Sequence, residues 1–228
     1  MSSPAFTPLP HHPAILPILD ADWLEQAPPT LRTNDFLNSV ARCINDLPIP
    51  MVQLRAKGTE ESSRLFMTRW LAALRQHAPH LRVILNDRLA WVAPLDACGV
   101  HVGQGDTPAA HCRELLGTDR IIGLSTHTSD EIRQAEGLPV DYIGFGPIFP
   151  THTKNDSHAV RGVELLARMV RMTRLPIFAI GGITLENLAE VAATGADGAA
   201  LISALWREDW EQRLRRAVEV WQQNRPMP

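Results

Sequence analysis

Residues 142–156 read YIGFGPIFPTHTKND: an apolar run that includes Gly144 and Gly146, then two prolines, then threonine, histidine and lysine side chains. The first half predicts a buried strand, and Pro147 and Pro150 stiffen the exit from it. Gly144 and Gly146 are expected to leave room beside that strand for a flat ligand, and the polar run after it to form a lid. Taken alone, the stretch also fits an ordinary strand end, where Gly and Pro stop a strand and Thr, Lys and Asn fill the loop. How the rest of the chain ends its strands decides between the two.

Seven further runs read as strands: AILPILD (14–20), MVQLR (51–55), RVILND (82–87), GVHVG (99–103), IIGLST (121–126), PIFAIGG (176–182) and GAALIS (198–203). Helical periodicity fills most of the spaces between them, as in EESSRLFMTRWLAALRQH (60–77), GVELLARMVRM (162–172), TLENLAEVAATG (184–195) and DWEQRLRRAVEVWQQ (209–223). Strand and helix in strict alternation, over 228 residues, predict a single-domain (β/α)8 TIM barrel. Two segments fit less well. RLAWVAPLDA (88–97) is short and holds Pro94, and 21–50 carries one helix among several prolines, which keeps an open doubly wound sheet as the alternative. The domain expectation is a flexible segment at 1–13, the barrel at 14–222 and a tail at 223–228.

Composition narrows the function class. The 22 basic and 25 acidic residues leave a net charge of −3, with no basic run that would mark nucleic acid or an anionic membrane as partner. Cys43, Cys98 and Cys112 are an odd number without metal-ligand spacing, so neither a disulfide framework nor a zinc site is expected. The first 20 residues are broken by prolines and lack a signal-peptide core, and no apolar run reaches the ~18 residues of a membrane span. A soluble cytoplasmic protein is the expectation. The oligomeric state stays open, a homo-oligomer included.

Barrel enzymes build their sites at the C-terminal ends of the strands, so the polar residues there carry the most information. Gln53 and Arg55 alternate on one face of the second strand, with Lys57 just beyond. Asn86-Asp87 closes the third strand, Asp106 follows the fourth, and Ser125-Thr126-His127 ends the fifth. Gly181-Gly182 and Ile202-Ser203 end the seventh and eighth, where such barrels commonly hold phosphate. Each has a plainer reading: a solvated cation for Arg55 or Lys57, a helix cap for Asn86-Asp87 or His127, and a satisfied core histidine for His101. Seven strand ends in succession with phosphate- or metal-compatible groups favour a site.

In order, VQLRAK, NDRLA, GVHVGQGD, GLSTHT, DYIGFGPIFPTHTK, AIGGIT and ADGAALIS resemble the motifs of thiamine phosphate synthases, over roughly residues 51–205. That resemblance implies a Mg2+-dependent transferase joining 4-amino-2-methyl-5-hydroxymethylpyrimidine diphosphate to a thiazole phosphate. It implies diphosphate binding by Gln53, Arg55, Lys57, Asn86, Ser125 and Lys154, with Arg55, Lys57, Ser125 and Lys154 the catalytic charges and donors. It implies Mg2+ at Asp87 and Asp106, and thiazole phosphate at Thr151, Thr153, Gly182, Ile202 and Ser203. The chain departs from the family's usual acidic residues at Ala56 and Gly105. Two other readings keep the barrel: a thiazole tautomerase, which needs neither both aspartates nor the diphosphate-binding cations, and a non-catalytic binder of thiamine intermediates.

Overall fold

A computed structural model describes residues 14–151 and 159–226. Eight strands run β1 Ala14–Asp20, β2 Met51–Arg55, β3 Arg82–Asn86, β4 Gly99–Val102, β5 Ile121–Thr126, β6 Tyr142–Phe145, β7 Ile177–Ile180 and β8 Gly198–Leu201. All pair in parallel with their sequence neighbours, and β8 returns to β1 through Ala14↔Gly198 and Pro17↔Leu201, closing the barrel. That pairing excludes the open sheet. Strands wrapped by helices outside and side chains inside are buried on both faces, which is why β2 and β4 are buried at every residue, Gln53, Arg55 and His101 included.

The α-helices among the described residues are α1 Ala21–Gln26, α2 Asn34–Asn45, α3 Glu60–His77, α4 Ala109–Leu116, α5 Ser129–Ala135, α6 Gly162–Val170, α7 Leu188–Ala193 and α8 Trp210–Asn224. Segment 21–50 corrects the expectation of one helix. It holds α1, a 3-10 turn at Pro29–Arg32, and α2, whose Phe36, Leu37, Val40, Ala41 and Ile44 form its buried face. Segment 88–97 forms only a 3-10 turn, Leu89–Trp91, so no α-helix follows β3. At the other end α8 runs to Asn224, two residues into the predicted tail.

Threonine side chains start α2, α3 and α5: Thr33, Thr59 and Thr128 each accept a backbone N–H in the first turn, and Glu131 completes a capping box with Thr128. Strands β6 and β7 end earlier than their apolar runs. Pro147 and Pro150 cannot extend the ladder, and Gly181 and Gly182 adopt φ +96° and +65°, which turns the chain out of β7. The three cysteines are free. No helix among the described residues is long and apolar enough to cross a membrane.

Candidate active site

The predicted residues gather at the C-terminal mouth of the barrel in three groups. The first is cationic. Arg55 ends β2 and pairs through Nη1 with the Asp20 carboxylate at the end of β1, while Asp22 lies 3.8 Å away. Asp20 does two jobs, since its Oδ1 accepts the Trp23 N–H at 2.8 Å and so caps α1. Arg55 Nε is buried and makes no hydrogen bond with the described residues. An orphaned buried donor costs about 1–3 kcal/mol, so this edge of the guanidinium suits an anionic ligand.

The second group is acidic. Asp87 sits just past β3 at φ +61°, a left-handed conformation that Asp tolerates better than most residues, and its N–H donates to the His101 carbonyl at 2.9 Å. Its carboxylate lies 3.7 Å from Lys57 Nζ. Asp106 Oδ2 accepts the Gly103 N–H at 2.8 Å, and Gln104 Nε2 donates to the Ser125 carbonyl at 2.7 Å, tying the β4 loop to β5. Asp87 and Asp106 thus follow adjacent strands. Among the described residues no cluster of three or more His, Cys, Asp and Glu side chains could hold a metal by itself. A pair of hard carboxylates does fit an ion such as Mg2+, which typically takes one or two carboxylates and completes its shell with substrate phosphate oxygens and water.

The third group is a pocket at the ends of β5 to β8, lined by Ser125, Thr151, Gly182, Ile202 and Ser203, with Gly144 in its wall. Thr153 and Lys154 lie outside the described residues, as does most of the polar run expected to form a lid. Gly182 Cα faces the main chain of 149–150: an added Cβ would come within 2.4 Å of the Pro150 carbonyl oxygen. A larger groove lies outside the barrel beside α3, between α1 and α2, and none of the predicted residues lines it.

Beneath the mouth, side chains cross the barrel interior. His101 Nε2 lies 2.9 Å from Ser125 Oγ, and His101 Nδ1 lies 3.0 Å from Tyr142 Oη. The Gln53 side chain sits beside the Tyr142 phenol. Because β2 and β6 are not neighbours in the closed order, that contact spans the lumen. Burial pushes the Tyr142 phenol far above its usual range, so it stays protonated, and the neighbouring Gln53 amide only partly opposes this.

The two glycines of the opening stretch line the pocket and also make room for the protein itself. A Cβ on Gly144 would meet the His101 ring at 3.3 Å, and one on Gly146 would strike the Ile180 carbonyl oxygen at 2.0 Å. Gly146 permits close backbone approach by β7, and the space at Gly144 is partly taken by the protein's own imidazole. His101 is the satisfied core histidine expected, only 7% exposed. His127 does not cap α5, a role held by Thr128; its imidazole faces Glu131 at 3.3 Å on the pocket wall. Asp20 and Tyr142 had no predicted role, since their partners are distant in sequence.

The sequence model of a family described as Thiamine monophosphate synthase matches residues 27–205. The chain is 41% identical over 197 residues to the thiamine-phosphate synthase of Syntrophomonas wolfei, covering 85% of this chain and 92% of that one. It is 43% identical over 176 residues to the thiamine-phosphate synthase of Myxococcus xanthus, covering 77% and 80%. Its fold superposes on a thiamine phosphate pyrophosphorylase from Pyrococcus furiosus with a TM-score of 0.73 and 28% identity, over 90% of this chain and 95% of that one. With the family model spanning most of the barrel, the chain belongs to the thiamine monophosphate synthase family.

Proposed function

We propose that the protein is a thiamine-phosphate synthase, a cytoplasmic transferase that condenses 4-amino-2-methyl-5-hydroxymethylpyrimidine diphosphate with thiazole phosphate. The observation that carries this reading is the position of Ser125. It borders the pocket with Thr151, Gly182 and Ser203 on one side, and through His101 and Tyr142 it connects to Gln53 on the other, so both substrates can meet beside it.

In this reading the C–O bond between the pyrimidine methylene and the diphosphate breaks first, and its electron pair leaves with the diphosphate. The thiazole nitrogen then gives its lone pair to the methylene cation, forming the C–N bond of thiamine phosphate. No proton need move, which accounts for a site of cations and donors without a nucleophile–base pair. Arg55, Lys57 and the Ser125 hydroxyl bind the diphosphate and stabilise the charge that grows on it, and Lys154 adds a further cation. Thr151, Thr153, the backbone at Gly182, and Ile202-Ser203 hold the thiazole phosphate. Gln53 and Asn86 also bind the diphosphate, and Asp87 and Asp106 would hold Mg2+, which when bound supplies positive charge to the diphosphate oxygens.

Incubating the protein with Mg2+ and both substrates, or with each alone, tests the reading. Thiamine phosphate is expected only with both present. Isomerisation of a thiazole phosphate alone would assign a tautomerase instead, and binding of intermediates without turnover would assign a carrier.

A further inference from the structure

Ser125 has one hydroxyl proton, and its use depends on His101. If Nε2 were a bare acceptor, that proton would be spent on the imidazole, leaving only lone pairs facing an anionic ligand. If Nε2 carries the hydrogen, it donates to Oγ, and the Ser125 O–H is free to donate outward. The tautomer is therefore decided at Nδ1, 3.0 Å from the Tyr142 hydroxyl.

Tyr142 is fully buried, and burial keeps its phenol protonated, so an O–H is available at Nδ1. Gly123 makes the pairing possible, since a Cβ there would come within 2.4 Å of His101 Nδ1 and 2.3 Å of Tyr142 Cζ. One direction ends on a free donor: Tyr142 to Nδ1, Nε2 to Ser125, and Ser125 to the ligand.

We infer that His101 is a positioning residue, held as the Nε2–H tautomer by Tyr142, so that the Ser125 hydroxyl is committed as a donor to the departing diphosphate. This rests on the proposed synthase reading, in which Ser125 meets an acceptor-only ligand. Charge accumulates on the diphosphate as the C–O bond breaks, so the donor acts more strongly in the transition state than in the bound substrate. Its loss lowers kcat more than it raises KM. Tyr142→Phe removes the hydrogen bond to Nδ1 and keeps the ring, freeing the imidazole to take the opposite tautomer.

Two measurements test the relay. The 15N spectrum of histidine-labelled protein saturated with Mg2+ and inorganic pyrophosphate is expected to show His101 protonated at Nε2 and bare at Nδ1. Tyr142→Phe is expected to lower kcat about ten- to a hundredfold, the range for one lost hydrogen bond to a charged group, with KM for the pyrimidine diphosphate little changed. In a Ser125→Ala background the same substitution should cost nothing further. A proton on Nδ1 in the pyrophosphate complex, wild-type kcat in Tyr142→Phe, or losses that add in the double variant would each overturn the inference. Were wild type to form no thiamine phosphate, the synthase reading would fail, while the tautomer in the pyrophosphate complex would still decide the relay.

Discussion

Arg55 and Asp20 form an ion pair at the mouth of the barrel with side chains only 6% and 2% exposed, which makes a predicted anion-binding cation a structural element as well. Removing one partner of a buried pair typically costs about 3–5 kcal/mol, because the other charge is stranded. Asp20→Asn keeps a cap oxygen for the Trp23 N–H and loses the countercharge. Its melting temperature should fall, and added Mg2+ with pyrophosphate should recover part of the loss, since the ligand supplies negative charge to Arg55. A variant as stable as wild type without ligand would show that Arg55 does not depend on Asp20.

Asp87→Asn and Asp106→Asn are the informative substitutions at the acidic pair. Asn tolerates the left-handed backbone at 87, and at 106 it retains an oxygen for the Gly103 N–H, so both variants should melt near wild type. Each should cut Mg2+-dependent turnover at least tenfold, about 1.4 kcal/mol of transition-state stabilisation. Normal turnover at saturating Mg2+ in either variant would remove that residue from the ion's shell. Without metal, Lys57 at 3.7 Å is the countercharge to Asp87, so Mg2+ affinity should rise steeply once diphosphate is present.

Gly182→Ala should damage the thiazole-phosphate pocket more than its single methyl implies. The added Cβ would meet the backbone of 149–150, and φ +65° is itself unfavourable for alanine by about 1–2 kcal/mol. Calorimetric titration should show thiazole phosphate binding weakened at least tenfold, with pyrophosphate binding close to wild type. Loss of both ligands together would place the damage in the barrel as a whole.

Burial raises the Cys43 and Cys112 thiols above the usual range, while Cys98 is partly exposed. A raised thiol in the folded state contributes stability that is fully present at neutral pH. It is lost as the pH rises past the ordinary thiol value toward the folded one. A thiol reagent at neutral pH should therefore modify Cys98 first and reach Cys43 and Cys112 only on unfolding. Rapid modification of all three in the native protein would contradict the packing described here.

The barrel was legible because strands buried on both faces appear as apolar runs, and the motif residues were legible because alternation puts Gln53 and Arg55 on one face of β2. Strand ends were less so: Gly181 and Gly182 carry the apolar composition onward while their positive φ stops the strand. Asp20 gave no signal, since a carboxylate before a helix reads as a cap and its Arg55 partner lies 35 residues away. The roles of Tyr142 and Gly144 depend on contacts across the lumen that no local pattern encodes. His101 read correctly as a satisfied core residue, but its partner at the site, Ser125, is set by the pairing of β4 with β5.

The central claim is that one barrel mouth joins two phosphorylated heterocycles with loss of diphosphate. Its most direct test is mass spectrometric quantification of thiamine phosphate and pyrophosphate formed by the purified protein from both substrates with Mg2+. The account predicts equal molar amounts of the two products and none of either when Mg2+ is chelated. Folded protein that leaves both substrates unchanged, or releases pyrophosphate without forming thiamine phosphate, would contradict it.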